Sequence, residues 1–228
     1  MRSLIKFIIV PALALLYFSG CTPKMVTKAQ EFPGMYDEKP RSLLVMPPMN
    51  ESTAADAKDY YATTIEMPLA FHGFYVFPYA ITSDVLKQQG VYDTELLYSL
   101  PLNKFYEYFG ADAVLFTKIK KWDTSYMVLA SSLTVSIDAE IKSTRTSRVL
   151  WKYNGTVVVD LGGGDTGGGL AGLIAKAVVA AVNTAAADYT TYAKQANGRF
   201  IGSMPYGYYH PGYLKDQGAQ LIDQTPEQ

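Results

Sequence analysis

Between residues 133 and 142 the chain alternates without a break, with Leu133, Val135, Ile137, Ala139 and Ile141 interleaved by Thr134, Ser136, Asp138, Glu140 and Lys142. A period of two marks a β-strand with one buried and one solvated face, so this segment belongs at the margin between a core and water. The polar stretch 143–147 reads as a turn, and residues 149–160 return as an antiparallel partner, giving one long hairpin. Its apolar face has to be covered, and the segments before it carry helical and strand patterns that can do so.

Residues 42–46 are a short apolar run stopped by Pro47-Pro48, a buried strand with a forced end because proline cannot donate to a sheet ladder. Asn50 and the two prolines form the turn after it. Ser52 or Thr53 can cap a helix running to about Met67, with Pro68 and Gly73 closing it. Residues 74–78 predict a second strand. Thr82-Ser83-Asp84 offers caps for a helix through Gln89, ended at Gly90. A helical stretch over 94–109 is open to a break at Pro101, and Gly110 is placed for a left-handed cap. Residues 113–122 give a third strand. The sum is an α/β (α+β) fold, a mixed sheet with a long antiparallel hairpin and helices packed on it, in a single domain spanning 41–195.

The two ends read differently. Arg2 and Lys6 precede an apolar run over 7–18 that is interrupted only by Pro11 and is too short to cross a membrane. It ends in Phe18-Ser19-Gly20-Cys21, which resembles the lipobox of bacterial lipoproteins, with Phe18 where leucine is usual. Residues 1–20 therefore read as a signal peptide, with cleavage between Gly20 and Cys21 and lipid attached to Cys21. Cys21 is the only cysteine, which leaves no intramolecular disulfide. Two acyl chains and an amide-linked third hold a protein at a membrane far more firmly than one myristoyl group. Thr22, in place of Asp after the cysteine, resembles lipoproteins sorted to the outer membrane. Residues 21–40 contain Pro23, Pro33, Gly34 and Pro40 and no period, and read as a tether. Residues 196–228 form a Gly-, Pro- and Tyr-rich tail. Tyrosine is the unusual residue, eighteen against two histidines, and Tyr206, Tyr208, Tyr209 and Tyr213 are candidate interface residues. The tail is either such a docking segment or decoration without fixed structure.

Candidate chemistry is sparse. Gly162, Gly164 and Gly167 satisfy G-x-G-x-x-G between a predicted strand and a predicted helix that carries Leu170, Leu173, Ile174, Ala177 and Val178 on one stripe. No parallel strand follows, no later acidic residue suits a ribose, and no Lys-Ser or Lys-Thr makes a P-loop. The run reads as a hinge, with no cofactor. His72 and His210 lack ligand spacing, so no metal site is expected. Asp56 with Asp59, and Asp138 with Glu140, fit solvated faces rather than an acid and a base, and no catalytic constellation is expected. A formal charge of −1 with lysines mixed among acids excludes a nucleic-acid footprint.

The segments Leu44-Val45-Met46-Pro47-Pro48-Met49-Asn50-Glu51-Ser52-Thr53, Gly73-Phe74-Tyr75-Val76-Phe77-Pro78 and Phe109-Gly110-Ala111-Asp112-Ala113-Val114-Leu115 resemble the Gram-negative lipoprotein family designated domain of unknown function 799. The resemblance covers nearly all of residues 21–200 and brings no catalytic residues with it. More distantly, the strand ending in proline and the Gly-Ala-Asp-Ala turn are similar to the periplasmic α/β domains of the curli-secretion lipoprotein and the amino-terminal domain of TolB. This likeness implies a TolB-N-terminal-like fold and a membrane-attached assembly module. The expectation is an envelope lipoprotein, not an enzyme, tethered to the outer membrane and associating with itself or other envelope lipoproteins. The alternative is a periplasmic small-ligand or glycan-binding protein or enzyme.

Overall fold

A computed structural model describes residues 25–91, 93–127, 130–160 and 189–222. Gly20, Cys21, the glycine run and the helix expected from Leu170 lie outside the described residues. The chain order is β1 (Met25–Thr27), α1 (Lys28–Glu31), α2 (Pro33–Glu38), β2 (Ser42–Val45), β3 (Met49–Asn50), α3 (Ala57–Phe71), β4 (Tyr75–Val76), α4 (Tyr79–Gln88), α5 (Thr94–Ser99), α6 (Leu102–Phe109), β5 (Ala113–Met127), β6 (Ala130–Ser143), β7 (Val149–Asp160), α7 (Tyr189–Ile201) and β8 (Gln220–Ile222).

The main sheet is mixed, in the order β4-β2-β5-β6-β7, with β3 added beside β5. β2 runs parallel to β4 and to β5, and β3 runs parallel to β5. β5, β6 and β7 are antiparallel, so the hairpin read from the alternation is present, and β5 extends it past the expected end at Trp122 to Met127. Leu133, Val135, Ile137, Ala139 and Ile141 are buried while the residues between them are half-buried. In the parallel part the pattern changes, because Leu43, Leu44 and Val45 of β2 and Ala113, Val114 and Leu115 of β5 are all fully buried. A strand with crossover helices on both sides is apolar on both faces.

On the inner face α3 and α7 pack together and, with Phe32 and Met35, close a core around Tyr61, Ile65, Leu69, Trp151 and Phe200. On the outer face Leu86 of α4, Leu97 of α5 and Phe105 of α6 cover Leu44, Met46, Val114 and Phe116. Pro101 divides α5 from α6, and Gly110 caps α6 at φ +69°, both as expected from the sequence.

The Pro47-Pro48 stop leaves a gap in the ladder beside Thr117, between the pairs Val45–Leu115 and Met49–Lys118. Tyr98 fills it. Its hydroxyl accepts from the Thr117 N–H at 2.9 Å and donates to the Thr117 carbonyl at 2.6 Å, satisfying both backbone groups of a buried residue. Asp112 performs a similar service at the strand entrances. One of its carboxylate oxygens accepts from the Arg41 and Ser42 N–H groups at 3.0 and 3.2 Å and from the Ser42 hydroxyl at 3.1 Å.

Several expectations are corrected. From Met25 onward the presumed tether is folded, because β1 pairs with β8 and Phe32, Met35 and Lys28 are buried. Helix α3 starts at Ala57, not at Ser52 or Thr53. The Asn50 carboxamide oxygen accepts from the Ser52 N–H and hydroxyl at 3.0 and 2.6 Å, committing those polar groups to a turn. Pro68 does not end that helix, and packing of the fully buried Leu69 carries it on to Phe71. Helix α4 starts at Tyr79, ahead of Thr82-Ser83-Asp84, with the Glu66 carboxylate accepting from the Tyr79 N–H. Helix α7 runs past residue 195 to Ile201, and the segment after it is packed, with Met204 fully buried.

Candidate functional site

The tail returns across the base of the sheet and meets the turn after α3 backbone to backbone. Gly207 N–H donates to the His72 carbonyl at 3.0 Å, and Tyr209 N–H donates to the Gly73 carbonyl at 2.9 Å. Gly73 takes φ +97°, and a Cβ on Gly207 would lie 2.3 Å from the Gly73 oxygen, so the approach requires glycine on both sides. His72 Nε2 lies 2.8 Å from the Met204 carbonyl. A carbonyl only accepts, so Nε2 carries the proton in the neutral ring. The Tyr206 ring lies 4.9 Å from that of His72 and stacks on His210 at 3.7 Å. Burial pushes the His72 imidazole down to about 4, and the neighbouring Lys28 and His210 act in the same direction.

A buried ion pair fastens the other side. Lys28 Nζ donates to the Met204 carbonyl at 2.7 Å and to Asp216 at 3.2 Å. Asp216 also accepts from the Tyr36 hydroxyl at 3.1 Å and from the Tyr206 N–H at 3.0 Å. Burial, and then the Asp216 charge, raise the Tyr36 hydroxyl above its usual range. A buried pair is tolerated only when its remaining hydrogen-bonding capacity is met, and here backbone and tyrosine meet it. The tail is thus a strap laced to α1, α2 and the α3 turn.

That lacing leaves Tyr208 and Tyr209 exposed, with Tyr213 half-buried beside them. Tyr208 meets Tyr209 edge-on at 5.1 Å and Tyr213 at 5.3 Å, and the Arg41 guanidinium lies 4.1 Å over the Tyr208 ring. Tyr209 is 62% exposed and Tyr208 40%. Tyr206 is turned inward into the histidine cluster and belongs to the strap. Beside the tyrosines is a recess of about 400 Å³ lined by Lys39, Arg41, Asp112, Arg145 and Tyr213. Partial burial raises the Tyr213 hydroxyl, opposed by Arg41.

A second concavity, of about 600 Å³, lies along β5, β6 and β7, with Lys118, Asp138, Glu140, Lys152 and Asn154 in its lining. Tyr98 and Phe116 also reach it, but Phe116 is only 5% exposed and Tyr98 is occupied by the backbone of Thr117. Two of its carboxylates are already engaged, Asp138 accepting from Asn154 at 2.6 Å and Glu140 facing Lys142 at 2.7 Å. Asp138 and Glu140 stand on this solvated face, as their spacing indicated. Arg41, Lys28 and Asp216 were not foreseen. Their partners are far away in sequence, Lys28 and Asp216 lying 188 residues apart, and no local pattern carries that information.

Residues 31–209 match the family described as "Putative lipoprotein GNA1162-like". Over 224 residues, 97% of this chain and 100% of the relative, the sequence is 31% identical to "Putative lipoprotein NMB1124/NMB1162" of Neisseria meningitidis serogroup B. The crystal structure of lipoprotein GNA1162 from Neisseria meningitidis overlays with a TM-score of 0.50 at 31% identity, across 64% of this chain and 98% of that one. A PelC dodecamer from Paraburkholderia phytofirmans overlays with a TM-score of 0.42 at 11% identity, across 82% of this chain and 94% of that one. That is too loose for its assembly to be carried over.

Proposed function

The chain belongs to the GNA1162-like lipoprotein family, and from that premise we propose that it is an envelope lipoprotein acting as an accessory or assembly module rather than an enzyme. Cleavage after Gly20 leaves Cys21 to take the lipid, and Thr22 after it favours the outer membrane. The observation that carries the assembly role is the group of exposed Tyr208, Tyr209 and Arg41 with half-buried Tyr213 beside them, held in place by a strap whose own contacts are buried. Tyrosine and arginine are enriched at interfaces because they bring large area and hydrogen-bonding tips at modest entropic cost. The partner is a second copy or another envelope lipoprotein. In-cell photo-cross-linking from position 209, compared with position 81 on α4, tests this reading. Specific adducts from 209 that disappear in a Tyr208→Ala, Tyr213→Ala background support it, and equal, non-specific adducts from both positions oppose it.

A second reading rests on the groove of about 600 Å³ along β5 to β7, whose mixed lysine, carboxylate and carboxamide lining could hydrogen-bond a glycan. Titration with envelope oligosaccharides against Asn154→Ala discriminates it, since only a ligand seated in the groove loses affinity there.

A further inference from the structure

The length of chain between the lipid site and the folded body decides which surface faces the bilayer. The body begins at Met25, only four residues after Cys21, a reach of about 14 Å even when fully extended. We infer that the β1–β8 ribbon is a membrane-facing surface that lies on the lipid headgroups, an inference that rests on acylation at Cys21. The ribbon cannot swing freely about the anchor, because it is bolted to the body. Lys28 N–H donates to the Ala219 carbonyl at 2.9 Å, Ala29 N–H to the Gln217 carbonyl at 3.1 Å, and the buried Lys28–Asp216 pair lies directly behind.

The chemistry of the ribbon's outer side fits that neighbour. Met25, Gln217, Gly218, Ala219 and Gln220 are exposed and none carries a charge, so bringing them to a headgroup layer strips water from no ion. Among the described residues of β1, β8 and the segment 215–219 the one exposed charged side chain, Lys215, is a cation, the sign that anionic headgroups attract. From the ribbon α1 and α2 lead onto β7, whereas β4 and α4 lie at the opposite edge of the sheet. The domain therefore stands on the membrane instead of floating above it on a flexible stalk.

The test uses the full lipoprotein, with acylation at Cys21 first verified by intact mass. It is reconstituted into phosphatidylethanolamine–phosphatidylglycerol vesicles that carry a headgroup quencher. Acylation consumes the native thiol, so a fluorophore on Gly218→Cys is unique, and a Cβ at 218 meets nothing within 4 Å. Ile81→Cys on α4 serves as the distant control, being 64% exposed. The label at 218 should lose most of its emission while the label at 81 keeps most of its own. Inserting about twenty glycine and serine residues between Pro23 and Lys24, with a root-mean-square reach of roughly 25 Å, should abolish that difference while the protein stays vesicle-bound. Equal quenching at 218 and 81 in the acylated, uninserted protein overturns the inference and leaves the lipoprotein reading standing. A chain without acyl groups at Cys21 overturns both.

Discussion

Around β2 and the start of β5 the sheet is covered on both faces, whereas along β6 and β7 only the inner face is covered among the described residues. The change coincides with the switch from parallel to antiparallel pairing. Parallel neighbours need crossovers, and α3 to α6 supply these, α4, α5 and α6 burying Val114 and Phe116 as they pass. Antiparallel neighbours need only turns, and among the described residues no crossover covers Thr134, Ser136 or Thr156. One strand, β5, belongs to both regimes. Its outward residues run from Val114 and Phe116, beneath helices, to the exposed Lys118 and Lys120. The two halves teach that the connections, more than the strands, decide which face meets water.

Substitutions along that outer face give the sharpest way to break this comparison. Phe116→Ala should cost about 3–5 kcal/mol in urea unfolding, because the ring packs against Tyr98 at 4.8 Å and Phe105 at 6.2 Å and a cavity would remain. A cost below about 1 kcal/mol would mean that the doubly covered half is not a packed core.

Acid should discriminate between the halves next. The folded His72 pKa of about 4 lies below the unfolded 6.5, so the unfolded chain takes up the proton first. The resulting stability is fully present above about pH 6.5 and is lost as pH falls toward 4, a difference of about 3 kcal/mol. Amide exchange should quicken first in the strap and the α3 turn while β6 and β7 stay protected. His72→Phe should flatten the pH profile, and a wild-type profile that is already flat over this window would refute the assignment.

Tyr98→Phe keeps the ring and strands both backbone groups of Thr117, an expected loss of about 1–3 kcal/mol. The measurement is denaturant midpoint with unchanged slope, and a neutral result would place water at that gap. The smallest effect belongs to the open face. Thr156→Ala breaks the 2.7 Å contact with Ser136, yet solvent replaces it, and stability should stay within about 0.5 kcal/mol. A larger loss would reveal that something covers this face after all.

How much of this was legible follows from where each signal resides. The alternation from Leu133 to Ile141 needs only its own residues, and it named the hairpin and its faces. Pro101 and Gly110 act through local backbone geometry and were equally readable. The ends were misread because their order comes from distant partners. Met25 to Thr27 is a strand only because Gln220 to Ile222 lies beside it, and Lys28, within the segment expected to be a tether, is buried against Asp216, 188 residues away. The tyrosine group was half visible. Composition singled out the residues, but only Gly207 against Gly73 decides that Tyr206 turns in while Tyr208 and Tyr209 turn out.

The pairing of Met25 with Ile222 also settles the wiring of the molecule. Entry and exit of the described chain share one doorway, so a tag or passenger fused after Ile222 would start its path beside Met25. An insertion made in the polar 143–147 turn would emerge at a separate address, beside the Arg145 recess, and would report on that side of the protein instead.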